Sequence, residues 1–345
     1  MTKRKIITTG GTGYIGSHTA VALQEAGFEV VLMDNLVNSS AEVVDRIRRI
    51  TGSKPLLEIV DLCDEEATKD CFNRHSDAVG IIHFAALKAV GESVAQPTRY
   101  YRNNLVSMLH VLEAMHRHDI PNLIFSSSAT VYGEPDVLPV TEQTPLQPAA
   151  SPYGQTKQMN EIMIRDAVHA GEVQRAISLR YFNPVGAHPS ALIGELPIGV
   201  PNNLMPYITQ TAIGIRKELA VFGSDYDTAD GTAVRDYIHV MDLAEAHVSA
   251  LLHQLDGKQS VGYDVINLGT GLGSTVLQVI QSFEKVTGLN LNYRLVDRRP
   301  GDVAAIYANV DKAAQVLHWH TKRDLDEMTR SAWAWEKYAR ETLHL

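Results

Sequence analysis

The chain has 345 residues, 45% hydrophobic and 21% charged. That length implies two domains, or one large α/β unit with an added lobe, and the composition is that of an ordinary globular protein. Lys and Arg number 31 against 40 Asp and Glu, a formal net charge of −9, which weighs against nucleic acid or an anionic membrane surface as partner but leaves room for a local phosphate pocket.

Met1 to Lys5 is basic, but only Ile6-Ile7 follow before Thr8-Thr9-Gly10-Gly11, so no signal-peptide h-region is expected. Ile6 to Thr9 reads as a strand, Ile15 to Ala26 as a helix stopped at Gly27, Glu29 to Met33 as a second strand and Leu56 to Val60 as a third. Val79 to Phe84 is a fourth strand, followed by a long helix around Asn103 to His118 and a fifth strand, Leu123 to Ser127. Ser151-Pro152 opens another helix, with Ser as N-cap and Pro in the first turn, and Ala176 to Arg180 is a sixth strand. Several of these strands are apolar almost throughout, the pattern of a parallel sheet covered on both faces. The fold class expected is α/β: a doubly wound parallel sheet of Rossmann type over residues 1–180, with a smaller mixed α/β lobe over 181–345 for substrate. In that lobe the rhythm breaks at Pro184, Pro189, Pro197, Pro201 and Pro206, and helices are expected over Asp242–Leu255, Thr275–Thr287 and Asp324–Tyr338.

No window approaches the ~20 apolar residues of a membrane span. Cys63 and Cys71 are the only cysteines, without CxxC spacing or disulfide-scaffold density, so a reducing cytoplasm is the expected compartment. The closest histidine pairs, His116/His118 and His318/His320, lack a metal-binding context, and no metal is expected.

Gly10, Gly13 and Gly16 stand between the first strand and the first helix. A side chain at Gly10 or Gly13 would hinder the turn or keep backbone N–H groups from a pyrophosphate, and Gly16 lets helix and strand pack closely. The turn, with Tyr14 and Ile15 inside it, is therefore the expected dinucleotide cradle. Asp34-Asn35 ends the second strand 18 residues beyond Gly16. A carboxylate there accepts both ribose hydroxyls and repels a 2′-phosphate, which favours NAD over NADP. Asp61-Leu62 is placed to contact the adenine edge or to form an exposed turn.

Tyr153 and Lys157 lie four apart, on one face of a helix. A lysine ammonium beside a phenol, with a nicotinium nearby, favours the phenolate and lowers its pKa toward neutrality. Ser128 follows the fifth strand, at the carboxyl end where parallel sheets build their sites. The Gly269–Gly273 run has no ribose-binding acid at the right distance after it and reads as a structural turn, and the Trp333-Ala334-Trp335 stretch as packing for a terminal helix.

The Gly-rich turn, Ser128 and Tyr153-x-x-x-Lys157 resemble the extended short-chain dehydrogenase/reductase superfamily. Within it, residues 83–93, 125–133, 180–189, 202–207 and 234–240 are similar to the UDP-glucose 4-epimerase family, and the likeness covers nearly the whole chain. The resemblance implies an NAD-dependent exchange of UDP-glucose and UDP-galactose through a 4-keto sugar, carried out by a cytoplasmic homodimer. It makes Tyr153 the base, Lys157 its tuner and ribose ligand, and Ser128 the group that orients the sugar hydroxyl. It places Phe84, Ala85, Lys88, Asn103 and Phe182 at the cofactor. Tyr181, Asn183, Asn203, Leu204, Ala220, Phe222, Arg235, Arg299 and Asp302 are placed around the UDP-sugar. Ile306 should face the sugar, where glucose-restricted members carry Tyr and members accepting N-acetylated sugars a small residue. An NDP-sugar 4,6-dehydratase is the alternative on this fold, but it needs an Asp-Glu acid/base pair after the catalytic hydroxyl residue, and this chain has Ala129-Thr130.

Overall fold

Ile6 and Ile7, adjacent in the first strand, are both fully buried. Successive strand residues point to opposite faces, so this strand needs cover on two sides. The computed structural model supplies it and describes residues 3–299 and 302–343. The first half runs β1 (Lys5–Thr9), α1 (Tyr14–Glu25), β2 (Glu29–Asp34), α2 (Val43–Thr51), β3 (Leu56–Ile59), α3 (Glu65–Arg74), β4 (Gly80–His83), α4 (Val90–Ala95), α5 (Pro97–Arg117) and β5 (Asn122–Ser126). A 3-10 turn, Ala129–Tyr132, then leads to α6 (Pro152–Ala170) and β6 (Arg175–Tyr181). Beyond these come β7 (Asn183–Val185), α7 (Leu204–Ala212), β8 (Leu219–Phe222), β9 (Val234–His239), α8 (Val240–Leu255), β10 (Tyr263–Leu268), β11 (Gly273–Thr275) and α9 (Val276–Thr287). The chain closes with β12 (Tyr293–Val296), β13 (Ala305–Ile306), α10 (Asp311–Leu317) and α11 (Leu325–Glu341).

Seven strands form one parallel sheet in the order β10-β6-β5-β4-β1-β2-β3. Ile6, Leu32, Ile82, Ile124 and Ile177 pack on one face with α1, α2 and α8. Ile7, Val31, Ile81, Leu123 and Phe125 pack on the other with residues of α3, α5 and α6. Strand order reverses at β1, whose neighbours are β2 and β4, so a crevice opens beyond the carboxyl ends of β1 and β4. Such a switch point is where doubly wound sheets bind ligands.

The division at residue 180 is not a clean cut along the chain. β10 pairs with β6 in full register, Tyr263↔Ala176 to Leu268↔Tyr181, and completes the large sheet. Leu243, Ala244, Ala246, Ala250 and Leu251 of α8 are buried in the same core as α1. The second half therefore returns to the first domain before it finishes the lobe. In the lobe, β9 is flanked by β11, antiparallel, and by β7 and β13, parallel. β8 pairs with β12. Val185, Ile208, Leu219, Val221, Tyr237, Val279 and Phe283 gather in a separate core under these strands.

The Gly269–Gly273 turn is structural. The Asp236 carboxylate accepts from the Thr270 and Gly271 N–H groups, at 2.8 and 3.1 Å, and from the Thr270 hydroxyl. Trp335 docks α11 onto the body: it is buried and its indole N–H donates to the Glu195 carbonyl at 2.9 Å. Among the described residues, no helix is long and apolar enough to cross a membrane.

Candidate active site

The Gly-rich turn lies directly against the loop after β4. Gly10 has φ +65°, and a Cβ there would stand 2.8 Å from the Ala85 backbone nitrogen. A Cβ at Gly16 would stand 2.3 Å from the Gly10 carbonyl oxygen, so glycine is required at both positions if β1, the turn and α1 are to close up. Gly13 is the N-cap of α1, and no side chain caps the helix. The first-turn N–H groups of Tyr14, Ile15 and Gly16 thus face the crevice without a side-chain acceptor, a polarity suited to an anion. The Tyr14 side chain takes no part in this, since its hydroxyl donates to the Gly186 carbonyl at 2.6 Å and ties α1 to the second half of the chain.

Asp34 ends β2. Its carboxylate accepts from the Thr12 and Leu36 N–H groups, at 3.1 and 2.9 Å, and from the Ser39 hydroxyl at 3.2 Å. A carboxylate offers about four lone-pair sites, so a position remains for a ribose hydroxyl. Sequence reasoning passed over Thr12 and Ser39, whose hydroxyls bond each other at 2.7 Å and orient Asp34. Asn35 turns its side chain to the Val37 N–H. Asp61 is exposed and accepts from the Cys63 N–H at 2.9 Å, closing its own turn, while the next-door Val60 donates to the Asp34 carbonyl. Leu62 is buried beneath it. A dinucleotide fits this set: an uncapped helix start for the pyrophosphate and an acid at the end of β2 for a ribose.

The loop after β4 is clamped from below. Buried Asn104 accepts from the Leu87 N–H at 2.9 Å and donates to the Leu87 carbonyl and the Thr156 hydroxyl, both at 3.0 Å. Phe84 rests on His247 with ring centroids 4.7 Å apart. Asn103 donates to the Asn104 side chain. Lys88 reaches over to Glu195 at 3.4 Å, and Asn203 donates to the same oxygen at 2.6 Å.

Ser128, Tyr153 and Lys157 come together at the end of β5. Ser151 caps α6, accepting from the Gly154 N–H, with Pro152 in the first turn. The cap fixes where Tyr153 and Lys157 emerge. Lys157 is 3% exposed, and its ammonium donates to the Ser126 carbonyl at 2.6 Å and lies over the Phe125 ring. Burial lowers its pKa to about 7, with Glu161 pulling the other way. Burial raises the Tyr153 phenol well above its ordinary value, and the Ser128 hydroxyl pulls it back in part. The lowering is expected of Lys157 and a nicotinium acting together; in the chain by itself, burial is the larger effect on Tyr153. The ammonium sits 5.8 Å from the Tyr153 ring centre and gives one of its three N–H donors to the strand.

A buried network behind these three was not anticipated. Glu161 accepts the Ser127 hydroxyl at 2.6 Å and both arms of the Arg180 fork, at 2.9 and 2.6 Å. Arg180 in turn donates to the Tyr132 hydroxyl at 3.1 Å, and Tyr132 donates to Asn267 at 2.6 Å. The signal was present in part, since Tyr153, Lys157 and Glu161 repeat at four-residue spacing on one helix face.

On the lobe side, Arg235, Arg299 and Asp302 converge. Arg299 grips Asp302 with two bonds, at 3.2 and 2.8 Å, and lies over the Phe222 ring. Arg235 donates to the Val234 and Val303 carbonyls and approaches Asp302 at 3.8 Å. Ala220 lies on the same strand as Phe222, and Leu204 opens α7 against the lobe core. Asn183 is exposed at the start of β7. Tyr181 does not turn its hydroxyl to the cleft: it bonds Ser126 at 2.7 Å. Phe182 and Ile306 share a buried cluster with Ala129 and Tyr132.

Away from the cleft, Glu58, Cys71 and His75 bring three donor atoms within 4.8 Å of one another. Arg74 covers both Glu58 oxygens, at 3.2 and 2.7 Å, and His75 bonds one of them at 2.9 Å. The trio is thus an ion-paired edge of β3.

The model of the GDP-mannose 4,6 dehydratase family matches residues 7–332. The UDP-glucose 4-epimerase of Bacillus subtilis (strain 168) is 52% identical over 331 residues, 96% of either chain. The crystal structure of the UDP-glucose 4-epimerase from Bifidobacterium longum, in complex with NAD+ and UDP, superposes with a TM-score of 0.92 at 46% identity, covering 96% of this chain and 98% of that one. The Stenotrophomonas maltophila UDP-glucose-4-epimerase, with bound NAD and formylated UDP-arabinopyranose, gives 0.94 at 46% identity over 98% of this chain and 99% of that one.

Proposed function

The chain belongs to the UDP-glucose 4-epimerase family, and from that premise we propose how its own residues divide the work. The activity is NAD-dependent interconversion of UDP-glucose and UDP-galactose by 4-epimerisation. When bound, NAD supplies the two-electron acceptor that makes a transient 4-keto sugar possible. The observation that carries the assignment of roles is the meeting of Tyr153, Lys157 and Ser128 at the end of β5, with Ala129-Thr130 after the serine.

In this reading, Tyr153 accepts the proton of the sugar 4-hydroxyl and later returns it. Ser128, whose hydroxyl eases the Tyr153 pKa back toward its ordinary value, orients the sugar hydroxyl and relays its proton. Lys157 supplies the positive charge that the buried phenolate requires. The uncapped start of α1 holds the pyrophosphate of the dinucleotide, and Asp34 its adenosine ribose. Arg235 and Arg299 offer planar forks to the UDP diphosphate, with Asn203, Leu204, Ala220 and Phe222 around the nucleotide.

A 4,6-dehydratase would have to eliminate water across neighbouring carbons. Ala129 is buried and carries no acid, and the Thr130 hydroxyl is buried without a hydrogen-bond partner. Neither can replace a carboxylate pair.

A homodimer is part of the same reading. α5 and α6 pack on each other, and Leu109, Met159 and Ile162 are exposed on them, apolar surface of the kind a second copy would cover. A reducing, cytoplasmic setting suits the two free thiols, both pushed up to about 11 chiefly by burial.

The decisive test is incubation of purified protein with UDP-galactose and no added NAD, followed by separation of the products. UDP-glucose should form, with denatured protein releasing NAD. In heavy water, the epimerised carbon should carry no deuterium, because its hydrogen returns as hydride. Deuterium at that carbon would point to direct deprotonation, and a product lighter by one water would revive the dehydratase.

A further inference from the structure

Glu161 lies one helical turn beyond Lys157, at the spacing that makes side chains neighbours on an α-helix. It is 5% exposed, and burial of a carboxylate is costly unless every oxygen is engaged. Here both are: Ser127 donates to one oxygen and the Arg180 fork spans the two. Ser127 is the residue before Ser128. At the other end of the same segment, Arg180 donates to the hydroxyl of Tyr132 and lies over its ring, 4.9 Å from the centre. The strip that carries Ser128 is thus pinned on both sides by one ion pair.

We propose that Glu161 is a positioning residue for the reaction: its carboxylate faces Lys157 along α6 and, through Ser127 and Arg180, fixes the Ser126–Tyr132 segment that presents Ser128 to Tyr153. The inference rests on the roles given above to Tyr153, Lys157 and Ser128. It adds the group that sets two of them in common.

The charges around Lys157 give Glu161 its leverage. Tyr153 and Glu161 face it from α6 and His83 from β4, while the Arg180 fork is spent on Glu161 and the Tyr181 hydroxyl on Ser126. His83 is held neutral, lowered to about 3 by burial and by the charge of Lys157 itself. Arg180 is a second buried cation, and Glu161 is the carboxylate that acts on Lys157, opposing the effect of burial. Removing its charge takes away the carboxylate that opposes burial at Lys157, which disfavours the ammonium.

The test is Glu161→Gln, which keeps the shape and an acceptor for Ser127 but loses the charge. Lys157 can be followed by carbon NMR of its ε-methylene in the purified holoprotein, a readout that needs no turnover. It should titrate about 1–3 units lower than in the parent. The alkaline fall of kcat should move to lower pH with it, with KM for UDP-galactose unchanged, because Arg235 and Arg299 lie in the other lobe. Glu161→Asp should restore the titration while leaving kcat reduced. Ser127→Ala, which leaves the ion pair standing, should lower kcat about tenfold without moving Lys157, the loss of one hydrogen bond to a charged group. An unmoved Lys157 in Glu161→Gln would overturn the proposal, whether or not kcat falls. Full activity in Ser127→Ala would remove its Ser128 half. Should the parent protein fail to convert UDP-galactose, the functional reading fails instead, and the NMR titration still decides whether Glu161 acts on Lys157.

Discussion

On the sheet side of the cleft, Tyr153, Lys157 and Glu161 are 9, 3 and 5% exposed, and their partners come from β5, β6 and their own helix. On the lobe side, the Arg299 side chain is 58% exposed and paired with Asp302, three residues away. Arg235 stands between these extremes, at 17%. The difference fits the roles proposed for the two sides. Proton transfer within a buried phenol–lysine–serine set depends on fixed geometry and on the exclusion of water, so those groups are built into the core of the sheet. A diphosphate is gripped by exchangeable ion pairs, and an exposed Arg–Asp pair contributes only about 0–1 kcal/mol, little enough for a better anion to replace the aspartate.

The largest effect should come from the sheet side. Tyr153→Phe removes the proton acceptor and should lower kcat by ~100-fold or more, the usual cost of a lost general base. Near-normal turnover would end the assignment of Tyr153. Lys157→Met should also slow the reaction, and its pH profile tells more. Burial already raises the Tyr153 phenol, so loss of the neighbouring cation raises it further. The phenolate then forms only at higher pH, and the acid limb of the rate profile should move upward. A limb that stays in place would mean that Lys157 holds ribose but does not tune Tyr153.

The lobe side should answer in KM. Arg235→Met removes a mostly covered guanidinium, and hydrogen bonds to charged groups contribute about 1.5–3 kcal/mol, so KM for UDP-galactose should rise by ~10-fold or more with kcat nearly unchanged. Arg299→Met should cost less, about fivefold at most, because exposed pairs are screened by water. Steady-state kinetics on the two variants decides the order. A larger loss for Arg299 would mean that exposure is a poor guide to which fork holds the diphosphate.

The two sides also differ in how far they could be read from sequence. β1, β2, β5 and β6 fall within a residue of the expected strands, because strands buried on both faces leave unbroken apolar runs bounded by Gly and Pro. The Gly-rich turn, Asp34 and Ser128 are legible as candidates for the same reason, since each follows such a strand directly, and Tyr153 and Lys157 through their four-residue spacing on a helix opened by Ser151-Pro152. The lobe strands β7, β11 and β13 span two or three residues, too short for any period. β10 reads as one more segment of the second half, and nothing local says that it returns to the first sheet. The Glu161–Arg180 pair joins a helix to the following strand, and Tyr132 and Asn267, which extend it, are 135 residues apart. Partners at that separation are assigned by the fold and leave no mark in a window of sequence.

The smallest effect, and the finest use of the comparison, is at Ile306, where the lobe meets the sheet. β13 pairs with β9 so that Ile306 lies opposite Arg235. Ile306 points into the cluster with Phe182, Ala129 and Tyr132, beside the segment that carries Ser128. Tyr307 points the other way: its ring lies against Gly273, where a built Cβ would approach it to 3.3 Å, and its carbonyl accepts from the Val140 N–H at 3.0 Å. Strand alternation therefore gives Ile306 the side facing the proposed sugar site. Isoleucine is smaller than tyrosine but stiff at its β-branch, so it should hinder an N-acetyl group without excluding it. Differences of this size in a pocket amount to about 1–3 kcal/mol. UDP-N-acetylgalactosamine should accordingly turn over more slowly than UDP-galactose in the parent protein. Ile306→Ala should raise the ratio of kcat/KM values, acetylated over plain sugar, by ~10-fold. The ratio is the quantity to measure, because truncating a buried isoleucine also costs about 2–5 kcal/mol of stability and lowers the amount of folded protein for both substrates alike. Tyr307→Ala should leave the ratio where it was. If the change at Tyr307 shifts it and the change at Ile306 does not, the gate is on the opposite face of β13. If neither does, substrate size is set elsewhere in the cleft.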